Sequence, residues 1–188
     1  MNLPSPRPAA GPPPAVIPEI VKGISLFLFD VDGCLTDGSI VFDGEGRELK
    51  FFNVQDGHGI KMLARAGVAT GFITGRSSEA VLARAKDLSV PHVILGAKRK
   101  LDPWRELLSK LNLREDQCAY MGDDLVDIPI LRRCGFACCP ADARDEVRAV
   151  CHYTASRPGG KAAAREAIET FLRLRDQWEG LLARYYED

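Results

Sequence analysis

The stretch LFLFDVDGCLTDG, residues 26–38, joins a run of apolar residues to three aspartates, Asp30, Asp32 and Asp37. The overlapping run SLFLFD, residues 25–30, is typical of a central parallel strand that is buried on both faces. Two carboxylates about 4 Å apart repel each other by roughly 4 kcal/mol at an effective dielectric constant of about 20. The stretch therefore predicts a buried strand that ends in a cluster of carboxylates. Such a cluster needs either a compensating cation or a catalytic role.

Length and composition predict one globular domain. The chain has 188 residues, of which 46% are hydrophobic, and this is enough apolar material for a single core. Its formal net charge of −1 argues against nucleic acid or an anionic membrane as a partner. Seven of the twelve prolines lie in residues 1–18, without the apolar and basic regions of a signal peptide. We therefore expect a flexible tail over residues 1–20 and a single domain over 21–188.

The six cysteines predict a reducing compartment, with the cytoplasm as the natural location. They lie mostly in apolar segments and form no CxxC pair. The spacing that a tetrahedral zinc site requires is absent from the sequence. Small buried hydrophobic residues are the simpler interpretation of Cys34, Cys118, Cys134, Cys138, Cys139 and Cys151.

The order of the predicted elements indicates an α/β domain. Residues 38–54 contain two β-rich runs around the glycine-rich segment 43–46, which predicts a β-hairpin inserted after the first strand. Downstream, strands alternate with helices, which predicts a mainly parallel sheet with helices on both faces. The predicted strands are 68–74, 92–95, 117–122, 136–139 and 151–154, and the last helix is expected over about 160–186.

Chemically active side chains follow the predicted strands at one edge of the sheet. Because ligands bind outside the carboxyl ends of parallel strands, residues that are distant in sequence should meet there. The group contains carboxylates, a hydroxyl, a guanidinium and an ammonium, the parts of a magnesium-dependent phosphoryl-transfer site. Its members are Asp30, Asp32, Thr74, Arg76, Lys100, Asp123, Asp124 and Asp127.

Four segments resemble the motifs of the haloacid dehalogenase superfamily, within roughly residues 25–170. They are DVDGCLT at 30–36, Thr74, Lys100 and GDD at 122–124. DGCLTDG, ITGR, GDDLVD and the late GG are similar to one subgroup, the 3-deoxy-D-manno-octulosonate 8-phosphate phosphatases. The resemblance implies a Rossmann-like core and hydrolysis of a small acidic sugar phosphate, with 3-deoxy-D-manno-octulosonate 8-phosphate as the first candidate.

The same resemblance implies a role for each motif residue. Asp30 would be the nucleophile that forms an aspartyl-phosphate, and Asp32 would be the general acid and base. Thr74 would bind the phosphoryl oxygens, and Lys100 would neutralise the nucleophile and the phosphate. Asp30, the backbone carbonyl of Asp32 and Asp123 would hold Mg²⁺, a cation that prefers hard oxygen ligands. Such a cation explains how several aspartates are tolerated in one place.

Three other functions stay open on the sequence. Relatives of the subgroup act on nonulosonate 9-phosphates, so the motifs do not fix the sugar. A non-catalytic assembly domain that keeps the fold is disfavoured, because all four motifs are intact. A protein phosphatase would use an open site and would be a monomer.

The spacing of the motifs leaves no room for a separate cap domain. Only 36 residues lie between Asp37 and Thr74, and 23 lie between Arg76 and Lys100. The resemblance implies a homotetramer in which the hairpins pack together and neighbouring subunits complete each site. The hairpin carries more apolar side chains than an exposed flap should, namely Ile40, Phe42, Leu49, Phe51 and Phe52.

Arg76, Lys161 and Arg165 are candidates for binding the substrate. Arg76 follows the predicted strand 68–74, where its guanidinium could pair with the sugar carboxylate or bridge to a partner subunit. The alternative is an ion pair with a helix acid such as Glu79. The resemblance places a glycine-rich stretch and a following arginine near the site, which implies Lys161 and Arg165. This segment departs from the family pattern, because Ala162 stands where glycine is usual. The alternative is that the C-terminal segment only packs on its own core.

Three further residues have open roles. Asp127 fits both an N-cap before Pro129 and support for the metal site. Asp37 is expected to orient the hairpin rather than to touch the metal. His58 is expected to lie on a helix surface or at an interface rather than to act as a base.

Overall fold

The computed structural model describes residues 15–186 of the chain. In that part the strands are β1 Leu26–Phe29, β2 Val41–Phe42, β3 Glu48–Leu49, β4 Ala69–Ile73, β5 His92–Ile94, β6 Cys118–Met121, β7 Phe136–Cys139 and β8 Tyr153–Thr154. The helices are α1 Pro18–Gly23, α2 Val54–Arg65, α3 Glu79–Leu88, α4 Leu101–Lys110, α5 Ile128–Leu131, α6 Asp145–Arg148, α7 Ala163–Leu174 and α8 Trp178–Ala183. Six strands form a parallel sheet in the order β5-β4-β1-β6-β7-β8, and β2 pairs with β3 in an antiparallel hairpin.

Strand β1 lies in the middle of the sheet and is buried on both faces. Phe27 and Phe29 belong to the core formed with residues of α2 and α7, where the Phe27 ring centroid lies 5.3 Å from that of Phe171. Leu26 and Leu28 belong to the core on the opposite face, formed with residues of α4. Successive side chains of a strand point to opposite faces, so both layers of helices pack on β1. This confirms the prediction from the apolar run.

The strand order reverses at the pair β1 and β6, which are parallel neighbours. In open α/β sheets a crevice forms at such a point, outside the carboxyl ends of the strands. Asp30 follows β1 directly, and the turn 122–124 follows β6. The topology therefore brings the two predicted acidic motifs to one place.

The two ends of the chain differ from the sequence-based expectation. Helix α1 begins at Pro18, inside the span 1–20 expected as a tail, because proline suits the first turn of a helix. Residues 1–14 of that expected tail lie outside the described part. The segment 160–186 forms two helices instead of one, since Asp176 adopts φ +58° between α7 and α8 and so leaves the helical conformation.

All six cysteines are buried and free, in agreement with their interpretation as small core residues. One of them, Cys118, accepts a hydrogen bond of 3.4 Å from the Trp104 indole inside the core. No described helix has both the length and the apolar character needed to cross a membrane.

Asp56, in the first turn of α2, holds the start of α7. Its Oδ1 accepts a hydrogen bond of 2.8 Å from the backbone N–H of Arg165, while its Oδ2 has no partner among the described residues. Burial raises the pKa of Asp56 from its usual value of 3.8 to about 6, against the lowering effect of the backbone amides. The carboxylate therefore joins α2 to α7 at an electrostatic cost near neutral pH.

Replacing Asp56 with asparagine is expected to stabilise the protein at pH 7. The amide oxygen still accepts from Arg165, whereas the buried charge is gone. In the wild type the folded state keeps the Asp56 proton up to about pH 6, but the unfolded state loses it near pH 4. The free energy of unfolding therefore falls as pH rises through this window.

Thermal melting between about pH 4 and pH 7 should show a gain for Asp56→Asn on the order of 1–2 kcal/mol at the upper end that vanishes at the lower end. Asp102→Asn is the control, because Asp102 is 63% exposed. A variant less stable than the wild type at neutral pH would show instead that the charge stabilises the start of α7.

Candidate active site

The loops after β1 and β6 bring Asp30 and Asp123 together. The backbone N–H of Asp30 donates to the carbonyl of Met121, the last residue of β6, at 2.8 Å. Gly33 has φ +90°, and a Cβ at this position would lie 2.1 Å from Asp123 Oδ2. Only glycine fits there, because the carboxylate occupies the space of a side chain. The first acidic motif therefore packs directly against the second.

Lys100 lies between two buried carboxylates. Its Nζ is 2.7 Å from Asp30 Oδ1 and 2.8 Å from Asp127 Oδ1, and only 3% of its side chain is exposed. Burial raises the pKa of Asp30 well above its usual range and the charge of Asp127 raises it further, while Lys100 lowers it. Burial alone would lower the pKa of Lys100, but the charges of Asp30 and Asp127 raise it above its usual value. Lys100 therefore stays charged and offsets the repulsion between the carboxylates.

Asp127 is completely buried and organises the loop after β6. Its Oδ1 accepts hydrogen bonds from Lys100 and, at 2.6 Å, from the Tyr120 hydroxyl. Its Oδ2 accepts from the backbone N–H groups of Asp123 and Asp124 at 3.1 and 3.2 Å. The Asp127 side chain makes no cap hydrogen bond to α5, so the predicted N-cap is not observed there, and its bond from the Asp124 N–H belongs instead to a capping box of the turn Leu125–Asp127. Support of the metal site stays a prediction. Nothing in the sequence distinguishes Tyr120 from the other residues of the buried strand β6.

The carboxylates of Asp30 and Asp123 fit a divalent cation. Ligand atoms of Asp30, Cys34 and Asp123 lie within 4.8 Å of one another. Burial, followed by the charge of Asp127, raises the pKa of Asp123 to about 6, so ionising both carboxylates is costly unless a cation joins them. The Cys34 thiol lies 3.6 Å from Asp123 Oδ1, and burial raises its pKa, so it stays a neutral thiol. The remaining oxygen donors suit Mg²⁺ better than a soft metal.

Asp32 is held on both of its carboxylate oxygens. Thr74 Oγ1 donates to Oδ2 at 3.2 Å, and Lys50 Nζ forms an ion pair with Oδ1. The predicted acid and base therefore lies beside the predicted phosphate ligand Thr74. From the sequence alone, Lys50 is not identified as a site residue. The only indication in the sequence is that a lysine lies among the apolar residues of the hairpin, in the segment ELKFF.

Arg76 pairs with the hairpin rather than with α3. Its Nη2 and Nε donate to Glu48 Oε1 at 2.7 and 3.1 Å. This ion pair takes the place of the one considered with Glu79. The Arg76 side chain is still 40% exposed, so part of it can reach a bound ligand.

The glycine-rich segment before α7 packs on the loop after β1. The backbone N–H of Gly160 donates to the carbonyl of Cys34 at 3.0 Å, and a Cβ at Gly159 would lie 1.8 Å from the carbonyl oxygen of Gly33. A close approach of this kind requires glycine. Lys161 follows this contact directly and is exposed. The structure therefore places Lys161 next to the loop that carries Asp30.

Arg165 is engaged by the helices instead. Its Nε is 2.6 Å from Glu169 Oε1, and its guanidinium lies 5.7 Å from the centre of the Trp178 ring. Nη1 lies 3.3 Å from His58 Nδ1. These partners belong to α2, α7 and α8, and 20% of the Arg165 side chain stays exposed. Ala162, which precedes α7, has φ +73°, the left-handed conformation that accounts for the glycine expected there.

Asp37 and His58 lie where the sequence suggests. Asp37 Oδ1 accepts from the backbone N–H of Ser39 at 3.0 Å, which fixes the chain as it enters the hairpin. His58 Nε2 lies 2.7 Å from the Tyr185 hydroxyl, at a partly exposed contact between α2 and the end of the described chain. Neither residue is among the groups that surround Asp30.

No cap domain covers the site within residues 15–186. The chain between Asp37 and Thr74 forms only the β2–β3 hairpin, α2 and β4. Phe52 packs against the core. The other four apolar residues singled out in the hairpin are exposed, with fractions of 57% for Ile40, 57% for Phe42, 43% for Leu49 and 70% for Phe51.

The parallel sheet, and the carboxylates and lysine at the point where its strand order reverses, are typical of a metal-dependent phosphoryl-transfer enzyme. A family model described as haloacid dehalogenase-like hydrolase matches residues 96–158. The chain is 38% identical over 157 residues to the 3-deoxy-D-manno-octulosonate 8-phosphate phosphatase of Yersinia pestis, an overlap of 84% of each chain. It is 36% identical over 162 residues to the enzyme of the same name from Escherichia coli K12, covering 86% of each chain.

Solved structures agree with this assignment. The 3-deoxy-D-manno-octulosonate 8-phosphate phosphatase of Moraxella catarrhalis, in complex with magnesium, phosphate and KDO, superposes with a TM-score of 0.86 at 39% identity, over 89% of this chain and 97% of that one. The cobalt-bound phosphatase of Haemophilus influenzae gives a TM-score of 0.81 at 34% identity, over 85% and 93% of the chains. The chain therefore belongs to the 3-deoxy-D-manno-octulosonate 8-phosphate phosphatase family of haloacid dehalogenase-like hydrolases.

Proposed function

We propose that this protein is a Mg²⁺-dependent phosphatase that hydrolyses 3-deoxy-D-manno-octulosonate 8-phosphate to 3-deoxy-D-manno-octulosonate and phosphate. The observation that carries the proposal is the contact of Lys100 with Asp30, which directly follows β1 at the point where the strand order of the sheet reverses. Thr74 Oγ1 donates to Asp32 Oδ2 at 3.2 Å, so the residues proposed for phosphate binding and for proton transfer are neighbours. Membership of the family supports this sugar over a nonulosonate 9-phosphate.

The side chains divide the reaction into two displacements at phosphorus. Asp30 attacks phosphorus while Asp32 gives its proton to the leaving sugar oxygen, so that an aspartyl-phosphate forms and the sugar alcohol departs. Asp32 then takes a proton from the water that attacks the aspartyl-phosphate, which releases phosphate and restores the Asp30 carboxylate. Thr74 and Lys100 bind the phosphoryl oxygens. Asp30, Asp123 and the backbone carbonyl of Asp32 would hold Mg²⁺, which when bound would supply positive charge to neutralise the phosphate.

Phosphate release from a small set of substrates tests the proposal. The purified protein is assayed with 3-deoxy-D-manno-octulosonate 8-phosphate, a nonulosonate 9-phosphate and p-nitrophenyl phosphate, with Mg²⁺ and with EDTA. We expect the highest kcat/KM for the first substrate and no turnover in EDTA. A preference for the nonulosonate would select that sugar instead. Absence of turnover on all three would support a non-catalytic domain.

Arg76 is proposed to bind the carboxylate of the sugar. Arg76→Ala is expected to raise KM for the sugar acid phosphate by about thirtyfold, since one charge-assisted contact is worth on the order of 2 kcal/mol. Hydrolysis of p-nitrophenyl phosphate should be nearly unchanged, because this substrate has no carboxylate. Arg99→Ala is the matched control, with Arg99 88% exposed. Equal losses on both substrates would mean that Arg76 acts by holding the hairpin through Glu48, and would move carboxylate binding to Lys161 or Arg165.

We propose that the protein forms a homotetramer through its hairpins. The support is the group of exposed apolar side chains on a hairpin of only two short strands, beside a site without its own cap. Several large apolar side chains exposed on one short hairpin are typical of an interaction surface. Neighbouring subunits would then cover the active site, which binds a small sugar phosphate.

The double substitution Phe42→Ser and Phe51→Ser is expected to turn the tetramer into smaller species. It should reduce activity on the sugar phosphate more than on p-nitrophenyl phosphate, because only the larger substrate needs the neighbouring subunits that cover the site. Light scattering gives the molar mass, and Leu82→Ser is the control, since Leu82 is 40% exposed on α3. A wild-type monomer would overturn the assembly and favour a protein phosphatase with an open site.

We place the enzyme in the cytoplasm. The six free, buried thiols support a reducing compartment. Fractionation of the source cells, followed by detection with an antibody, tests the location directly.

A further inference from the structure

Lys50 is a buried cation that the proposed mechanism does not use. It lies one residue beyond β3, in the hairpin, and only 1% of its side chain is exposed. Lysines are almost never buried to this extent unless they are paired, because desolvating the ammonium costs several kcal/mol. The pairing is with Asp32 Oδ1 and, at 3.4 Å, with Glu48 Oε1.

The position of Asp32 depends on this lysine. Oδ1 is in contact with Lys50, and Oδ2 accepts from Thr74 Oγ1 at 3.2 Å. Contacts on both oxygens fix the plane of the carboxylate. With the ammonium on Oδ1, the proton that the leaving oxygen takes is assigned to Oδ2, whose second lone pair is not used by the Thr74 hydroxyl. A catalytic carboxylate must be held within about 0.5 Å of its productive position, which a single hydroxyl contact does not ensure.

Lys50 is itself held by the hairpin. Glu48 Oε1 contacts the Lys50 ammonium and also accepts from Arg76 at 2.7 Å. Charges therefore alternate along the row Asp32, Lys50, Glu48 and Arg76, and the row runs from the catalytic carboxylate to the exposed guanidinium. Lys100 does not take part, because it pairs with Asp30 and Asp127. The nucleophile and the acid and base thus have one lysine each, from different elements.

We propose that Lys50 is a positioning residue that holds the Asp32 carboxylate for proton transfer to and from the substrate. The inference rests on the proposed function, in which Asp32 is the acid and base. It also gives the hairpin a second task besides assembly, since the hairpin supplies the cation for Asp32 from the same subunit.

The test compares Lys50→Met and Lys50→Arg with the wild type and with the exposed control Lys61→Met, at saturating Mg²⁺. For 3-deoxy-D-manno-octulosonate 8-phosphate, kcat of Lys50→Met should fall on the order of 100-fold with KM within about threefold, because the poor leaving group needs the proton. With p-nitrophenyl phosphate the leaving group needs none, so first-turnover release of p-nitrophenolate should keep the wild-type rate. The later turnovers of Lys50→Met should be slow, because Asp32 also activates the water that hydrolyses the aspartyl-phosphate. Rapid mixing should therefore show a burst of p-nitrophenolate that is larger than in the wild type.

Lys50→Arg keeps a cation on Asp32 and should recover at least about tenfold of the lost kcat. Wild-type kcat for Lys50→Met on both substrates would overturn the inference, and so would an equal loss in the first turnover of both, which is the mark of a structural defect. If Lys50→Met does not fold, Glu48→Gln replaces it, and an unchanged ratio of sugar to aryl phosphate activity in that variant would overturn the inference too. A wild type inactive on both substrates would instead refute the proposed function.

Discussion

Asp30→Asn is expected to abolish turnover and to leave the metal-free protein at least as stable as the wild type. The amide cannot attack phosphorus, so the loss should be on the order of 10⁴-fold or more. Stability should not suffer, because burial already raises the pKa of Asp30 and the nearby Asp127 opposes its charge. The amide oxygen can keep the hydrogen bond from Lys100, which still pairs with Asp127 at 2.8 Å.

Phosphate release and thermal melting in EDTA measure the two effects of Asp30→Asn on one preparation. Asp102→Asn, two residues beyond Lys100 and 63% exposed, should change neither. Mass spectrometry of the intact variant excludes deamidation back to aspartate. Near-normal turnover in the intact variant would refute Asp30 as the nucleophile. Complete unfolding would show that its charge is needed by Lys100.

The fold was predictable because its signals are local. A four-residue apolar strand that ends in a charge is read directly from residues 26–30, and alternation of strands and helices implies a parallel sheet. The break between α7 and α8 at Asp176 was not predictable from the sequence. The apolar periodicity continues through it, and a non-glycine residue adopts the left-handed conformation there. Helix α1 was hidden for the opposite reason, since Pro18 ends a proline-rich stretch and also suits a helix start.

The site was predictable only where a residue belongs to a motif. Asp30 and Asp123 meet as the topology requires, and Lys100 lies against Asp30. Tyr120 and Lys50 carry no such signal, because their roles arise from tertiary contacts with Asp127 and Asp32. Partners of long side chains are equally hidden. Arg76 could reach acids on α3 or on the hairpin, and only the fold selects Glu48.

Of the substitutions described above and here, Lys100→Met is expected to cause the largest decrease in the free energy of unfolding. It removes the only cation between Asp30 and Asp127 among the described contacts, and leaves two buried carboxylates facing each other. Breaking a buried ion pair by removing one partner costs about 3–5 kcal/mol, which corresponds to a decrease in Tm of roughly 10 °C for a chain of this size. Turnover should also fall by on the order of 100-fold or more, since the phosphate loses its ammonium partner.

The loss of stability in Lys100→Met should depend on pH and on metal in a way that identifies its cause. Without the lysine, the folded-state pKa of Asp30 rises further above its unfolded value, so the variant should regain stability as pH falls and lose it as pH rises. Mg²⁺ should restore part of the Tm at neutral pH, because a cation on Asp30 replaces one of the two lost contacts. Calorimetry with EDTA and with Mg²⁺ separates these effects, and Lys98→Met, at an exposed neighbouring position, is the control. A decrease in Tm that is the same at every pH and unaffected by Mg²⁺ would mean that Lys100 contributes through packing of its alkyl chain and not through its charge.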